Sequence, residues 1–98
     1  MQKHILIVED EPAIRDMLAY ARANEIAGEP VRAGEAWAEA AYLSGRPEQA
    51  LVQLNNLKKR DDLDYYARAR IDARIAAITP VVLELRRQGI RDPDLRKR

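Results

Sequence analysis

The feature that most limits the fold of this chain is a series of short amphipathic segments separated by glycine and proline. Apolar residues recur every three or four positions, which puts them on one face of a helix, until a break ends each run. The predicted helices cover about residues 12–27, 31–43, 47–57, 62–77 and 80–88. Because the connections are only a few residues long, consecutive helices must lie side by side in opposite directions. The sequence therefore predicts an all-α fold, an antiparallel stack of helical hairpins.

The composition fits one helical domain and limits the classes of partner. The 98 residues suffice for one modest core, and 47% of them are hydrophobic and 34% charged. The net charge is +1, so no overall field attracts nucleic acid or a membrane. The chain has no cysteine, which excludes disulfides and thiolate metal sites. The first residues lack the apolar core of roughly 7 to 15 residues that a secretory signal needs, so we expect a cytoplasmic protein.

The N-terminal segment carries the one strand signal in the sequence. Residues 4–8, HILIV, are a β-branched apolar run that ends at Glu9 and Asp10, and Pro12 then favours the start of a helix. We therefore expect a short β-strand before the first helix. Because no second strand is predicted, this strand would pair with its copy in a homodimer, pack on the helices or stay disordered.

Two helix boundaries in the second half of the chain have alternative interpretations. Asp61 or Asp62 is positioned to cap the fourth helix by accepting hydrogen bonds from its first amide groups. Pro80, which follows Thr79, either begins a fifth helix or kinks one long helix. Residues 90–98, IRDPDLRKR, are polar and terminal, which favours a flexible basic tail.

The stretch AWAEAAYLSGRPEQALVQLNNLKK resembles a tetratricopeptide repeat, a helix–turn–helix unit of about 34 residues. The resemblance aligns Gly45 with the glycine of the turn. It departs from the usual pattern at Ala41, where an aromatic residue is common, and at Asp62, where a proline is common. The packing positions of the repeat fall on Trp37, Ala38, Ala50, Leu54 and Leu57. The resemblance implies a hairpin stack of tetratricopeptide type.

Residues 19–89 are also similar to the C-terminal repeat domain of periplasmic zinc metalloproteases of the beta-barrel assembly-enhancing type. The runs that carry the similarity are AYARANEIAGEPVRAGEAWAEAAYLSGRPEQAL and DYYARARIDARI. In that family the repeat domain engages outer-membrane assembly partners, and a separate domain carries the zinc motif HExxH. This chain has a single histidine, His4, and no HExxH motif. The similarity therefore implies partner binding, in a periplasmic family, and no proteolysis.

Residues 1–18, MQKHILIVEDEPAIRDML, resemble the start of a bacterial response-regulator receiver domain. In that family the acids after the first strand hold Mg²⁺; they match Glu9 and Asp10, whose hard carboxylate oxygens suit this ion. The later strands and the phosphoacceptor of a receiver are missing, so phosphotransfer is not expected, and no cofactor other than Mg²⁺ is implied. The two resemblances together suggest a fusion of a receiver-like fragment over 1–18, a helical domain over 19–89 and a tail over 90–98.

The candidate partner-binding residues are tyrosines and arginines. Aromatic residues are enriched at interaction hot spots, and arginine binds carboxylates through paired hydrogen bonds. The candidates are Tyr42, Tyr65, Tyr66, Arg68 and Arg70. The alternative for these residues is core packing for the aromatic rings and a solvated helix face for the arginines.

We expect a noncatalytic module that binds a polypeptide on the concave face of the second and fourth helices. One alternative is a degenerate receiver fragment with a residual Mg²⁺-binding or signalling role, and another is a structural or designed scaffold without activity. Nucleic-acid binding is disfavoured because Asp92 and Asp94 interrupt the basic tail and no aromatic residue accompanies it.

Overall fold

Four helices make up the fold. A computed structural model describes the backbone of residues 2–93 and the side chains of residues 12–93. The helices are α1 (Gln2–Ile26), α2 (Pro30–Leu43), α3 (Pro47–Lys58) and α4 (Tyr65–Arg87). Each packs on the next one along the chain, and no strand occurs in the described part of the backbone. The predicted all-α fold is confirmed.

The N-terminal segment differs from the strand predicted for it. Residues 4–8 lie within the bounds of α1, and a helix satisfies the backbone hydrogen bonds of such a segment internally. A lone strand would leave these groups without partners on both of its edges, because nothing else in the described residues forms a sheet. The side chains of these residues are outside the described range, so the predicted pairing of two copies through residues 4–8 stays a prediction.

The two hairpin turns, α1–α2 and α2–α3, share one local design. Gly28 and Gly45 have φ angles of +77° and +84°, a region that residues with a Cβ rarely adopt. In both turns two backbone amides donate to carbonyls of the ending helix, as in the Schellman arrangement; Glu29 N, for example, donates to Asn24 O at 2.8 Å. A proline then opens the next helix, at Pro30 and Pro47. The repeated Gly-x-Pro sequence therefore fixes both reversals of the chain.

The main core lies among α2, α3 and α4. Its fully buried members are Ala38, Ala50, Leu54, Ile71, Ile78 and Val82. On its other side α2 presents Ala33, Ala36 and Ala40 toward α1, which contributes the fully buried Ala21. Small residues on both helices permit a close approach of the two backbones. Helix α2 is thus the central element, covered on two sides.

Helix α4 is continuous through Pro80. The Thr79 hydroxyl donates to Ile75 O at 2.7 Å, and the pyrrolidine ring of Pro80 is exposed. Of the two alternatives for Pro80, one long helix is therefore the correct one. Asp64 caps this helix, accepting from Ala67 N at 2.7 Å, so the caps predicted at Asp61 and Asp62 are wrong. Helix α4 therefore begins at Tyr65, three residues later than predicted.

The chain after α4 returns to the start of α3. Gly89, with φ +81°, ends α4, and Asp92 is 4% exposed. The two carboxylate oxygens of Asp92 accept from Glu48 N at 3.2 Å and Gln49 N at 2.9 Å, in the first turn of α3. Arg91 and Asp92 therefore contact the start of α3, within the segment 90–98 for which the sequence predicts a flexible tail. Residues 94–98 lie outside the described range.

The side chain of Glu48, in the first turn of α3, bonds in return to residues at and after the end of α4. Its carboxylate, in a residue 7% exposed, accepts from Arg86 Nε at 2.7 Å, from Arg91 Nε at 2.9 Å and from Asp92 N at 3.4 Å. Burial acts to raise the pKa of Glu48, but the hydrogen bonds from both arginines and from the Asp92 amide outweigh it and lower the pKa. We call Glu48, Arg86, Arg91 and Asp92 the C-terminal clasp.

Candidate functional site

Helices α2 and α4 run parallel and are joined by two matched ion pairs. Arg70 donates from Nε and Nη2 to the carboxylate of Glu35 at 3.0 and 2.9 Å. Arg74 donates in the same way to Glu39, at 3.1 Å for both bonds. Both pairs join residues 35 positions apart, and each helix advances by one turn between them. Equal separations require the two helices to point in the same direction.

A cleft lies beside these pairs, where α1, α2 and α4 meet. Its volume is about 280 Å³. The lining combines apolar and charged side chains, namely Met17, Tyr20, Arg32, Glu35, Ala36, Glu39 and Arg70. Tyr20 is 50% exposed and stands at the edge of the cleft. We call this surface, with Arg74 and Tyr42 at its far end, the α2–α4 face.

The charges of the α2–α4 face largely offset one another. The hydrogen bonds to Glu35 raise the pKa of Arg70 against the opposing effect of its partial burial. The guanidinium of Arg74 also lies over the ring of Tyr42, 5.3 Å from its centroid, a cation–π contact. Both arginines are therefore held in place by contacts within the chain. The apolar side chains of the cleft are framed by these paired charges.

The five predicted partner-binding residues do not form one site. Two of them lie on the α2–α4 face: Tyr42, which is half-buried, and Arg70, which is paired with Glu35. Tyr65 and Tyr66 are 79% and 73% exposed at the start of α4, with their rings edge to face 5.4 Å apart. Arg68 turns toward α3, where its Nη1 donates to Lys58 O at 3.5 Å.

The residues predicted to pack the repeat lie in three environments. Ala38, Ala50 and Leu54 belong to the core, and Leu57 is half-buried against it. Gly45 forms the α2–α3 turn described above. Gly34 lies against Leu57, since a Cβ at this position would lie 2.6 Å from a methyl group of that side chain. A larger residue at position 34 would therefore require the Leu57 side chain to move.

Trp37 is half-buried between two shallow clefts. Its Nε1 donates to Glu25 Oε2 at 2.8 Å, which ties α2 to α1. The cleft on one side, of about 350 Å³, includes Ile14 and Leu18 of α1. The other, of about 380 Å³, includes Gln53 of α3. The side chain of Trp37, which belongs to α2, therefore lies between α1 and α3.

The predicted Mg²⁺ ligands, Glu9 and Asp10, have side chains outside the described range, as has His4. Within residues 12–93 no group of three or more histidine, aspartate or glutamate side chains is arranged to hold a metal ion. Among the helices that the structure describes, none is long and apolar enough to cross a membrane. The receiver-type Mg²⁺ role stays a prediction.

Sequence analysis missed several residues of the α2–α4 face. Glu35, Glu39 and Tyr20 were not among the candidates. A signal was present in the sequence, since two glutamates four residues apart precede two arginines four residues apart by one constant interval. That pattern is typical of two parallel helices with paired faces.

Comparison with known proteins gives no relative. No protein-family profile, no curated protein and no solved structure matches this chain.

Proposed function

We propose that this chain is a noncatalytic protein-interaction module of tetratricopeptide type that binds a polypeptide on its α2–α4 face. The observation that carries the proposal is the parallel pairing of α2 and α4 beside an amphipathic cleft. Parallel helices side by side, with the intervening helix behind them, form the kind of surface on which helical repeat proteins bind partners.

The spacing of the ion pairs supports the repeat assignment. Glu35 with Arg70 and Glu39 with Arg74 are each separated by 35 residues, close to the repeat length of about 34 residues. In a helix–turn–helix repeat, equivalent positions of successive first helices lie side by side at this interval. Helices α2 and α3 then correspond to one repeat, α4 to the first helix of the next, and α1 to the second helix of the one before.

The open shape of the cleft favours a polypeptide over a small molecule. Sites for small ligands enclose about 300 to 1,000 Å³ and bury most of the ligand. The cleft on the α2–α4 face has about 280 Å³ and is open, enough for one or two side chains of a longer chain. Met17 and Tyr20 supply apolar contact, and the exposed Arg32 side chain is positioned to donate hydrogen bonds to the polar groups of a peptide.

The proposal is tested by selecting peptides against the whole chain from a random peptide library and mapping the best binder by amide chemical-shift changes. We expect saturable binding and shifts that cluster at Tyr20, Glu35 and Arg70. The double variant Tyr20→Ser with Arg32→Glu is expected to weaken binding at least tenfold. Val52→Ser, an exposed substitution on α3, is the matched control and should leave affinity unchanged.

Two results would overturn the proposal. One is the absence of any saturable peptide binder after selection. The other is equal affinity of the double variant Tyr20→Ser with Arg32→Glu and the wild-type chain, provided that both show the same helical circular dichroism.

A further inference from the structure

A shallow groove lies between α1 and α3, away from the α2–α4 face. Its volume is about 350 Å³. Ile14 and Leu18 of α1 form one wall, Gln49 of α3 stands at the other, and the half-buried Trp37 of α2 lies between them. We call this surface the α1–α3 groove. It shares no lining residue with the cleft on the α2–α4 face.

The described chain reaches the rim of the α1–α3 groove at Asp92. One carboxylate oxygen of Asp92 accepts from Gln49 N at 2.9 Å, and Gln49 itself lines the groove. Pro93, which is exposed, is the last described residue. The five residues that follow, 94–98, span at most about 17 Å when fully extended. This segment is therefore anchored at the edge of the groove and is long enough to enter it.

The sequence of this segment complements the α1 wall of the groove. Residues 94–98 read DLRKR, in which Leu95 is the one apolar residue and three basic residues follow it. Helix α1 has the sequence Glu-Asp-Glu at residues 9–11, and positions 10 and 11 precede Ile14 by one helical turn. The α1 wall thus has apolar positions next to acidic ones, and the segment has an apolar residue next to basic ones.

We propose that residues 94–98 occupy the α1–α3 groove of their own chain and tie α1 to α3. Leu95 packs beside Trp37 on the apolar part of the α1 wall, which removes its side chain from water. The basic residues 96–98 pair with the acids at 9–11, and the attraction between them is weakened by salt. The segment is a strap that closes the groove while these charges are paired and leaves it open when they are screened.

The anchor at Asp92 favours the chain's own segment over that of a second copy. Exposed ion pairs are individually weak, so a free segment of this composition would bind poorly. A segment tethered beside its site instead has an effective concentration in roughly the millimolar range. The hydrogen bond from Gln49 N to Asp92 provides that tether within one chain.

Trp37, the single tryptophan of the chain, allows the groove to be observed directly. Acrylamide quenching of its fluorescence measures its access to solvent. The tail variant carries Arg96→Glu, Lys97→Glu and Arg98→Glu. The helix variant carries Glu9→Lys, Asp10→Lys and Glu11→Lys. We expect each variant to raise the quenching constant at least twofold at low salt, and the chain with both sets of substitutions to return to the wild-type value.

The matched control is Lys59→Glu, which reverses an exposed charge at the far end of α3 and should leave quenching unchanged. Equal quenching in the tail variant and the wild-type chain, with the same helical circular dichroism, overturns the proposal. So does a chain with both sets of substitutions that stays as quenchable as the tail variant. Quenching of the wild-type chain that falls as protein concentration rises would assign the segment to a second copy and overturn it as well.

Paired cysteines test the position of the segment, because the natural chain has none. Under mild oxidation Leu95→Cys with Ile14→Cys should form an intramolecular disulfide at least tenfold faster than Leu95→Cys with Leu83→Cys. Leu83 is exposed on α4, one turn before Arg86 of the C-terminal clasp, and serves as the reference for a segment that is not docked. Equal rates for the two pairs refute docking in the α1–α3 groove.

Discussion

At the scale of single residues, the C-terminal clasp holds two buried carboxylates without leaving either unpaired. Buried charges destabilise a fold unless hydrogen bonds compensate for the loss of water. Asp92 accepts from two amides of α3, and Glu48, in that same turn of α3, accepts from the Asp92 amide. This is the reciprocal pattern of a capping box, formed here by residues 44 positions apart. The negative charges also lie at the positive end of the α3 dipole.

Replacing Asp92 with alanine should lower the free energy of unfolding by about 1 to 2 kcal/mol, as loss of a helix N-cap does. The reason is that the amides of Glu48 and Gln49 lose their acceptors while they stay partly shielded from water. Urea denaturation followed by circular dichroism measures the change. Asp61→Ala removes an exposed carboxylate and should change stability by less than about 0.5 kcal/mol; equal effects of the two substitutions would contradict the capping role.

Stability should also depend on pH through Glu48. Its pKa in the folded chain is lowered, so its contribution is present above the ordinary value of 4.5 and is lost as the pH falls through the folded value. Glu48→Gln should therefore cost roughly 1 to 2 kcal/mol at neutral pH, because two half-exposed arginines lose a charged acceptor. The difference in urea midpoint between the variant and the wild-type chain should shrink below about pH 4.5. A difference that stays constant would argue against a stabilising role of the ionised Glu48 carboxylate.

At the scale of elements, α4 keeps its length although it contains Pro80. Proline removes one backbone donor, which frees the carbonyl of Ala76 one turn earlier, and the Thr79 hydroxyl donates to the neighbouring carbonyl of Ile75. The defect lies on the exposed side, where water reaches the freed carbonyl. Two proline positions of this chain thus have opposite effects, since Pro30 begins α2, where no donor is needed.

Pro80→Ala should raise the free energy of unfolding by about 1 to 2 kcal/mol, because the restored hydrogen bond outweighs the lost restriction of the unfolded chain. Thermal melts of dilute protein measure this change. Pro30→Ala, at the first position of α2, should give no such gain. A Pro80→Ala variant that is no more stable than the wild-type chain would show that α4 accommodates the proline without strain.

Local patterns in the sequence explain most of the helices and few of the contacts between them. Gly28 with Pro30 and Gly45 with Pro47 predict both hairpin turns, since each residue acts within its own turn. The pairing of α2 with α4 and the docking of Asp92 depend on residues 35 and 44 positions apart, which local periodicity does not register. The strand predicted from HILIV rests on β-propensity alone, which the surroundings of a segment commonly override.

At the scale of the whole molecule, stability is unevenly distributed. The buried cluster consists of residues from α2, α3 and α4, and among the described side chains of α1 only Ala21 is fully buried. Helix α1 contacts α2 alone with more than a few residues. The last three helices therefore supply the main core, and α1 packs along α2.

Amide hydrogen exchange should reveal this division. We expect residues 12–26 of α1 to exchange through local opening, at least tenfold faster than residues 71–82 of α4, because Ala21 is the one fully buried side chain among those described in α1, whereas Ile71, Ile78 and Val82 are buried in the main core. Exchange measured residue by residue under native conditions provides the test, with α3 as the internal reference. Uniform protection across all four helices would contradict the division.

The remote cap on α3 has a kinetic consequence. The first turn of this helix gains its acceptors only when residues 43 and 44 positions further along the chain have arrived, and closing so long a loop comes after local helix formation. Interactions formed after the folding barrier leave the folding rate unchanged and slow unfolding instead. Asp92 is therefore expected to lower the unfolding rate, so that the last described residues of the chain lengthen the lifetime of the folded molecule.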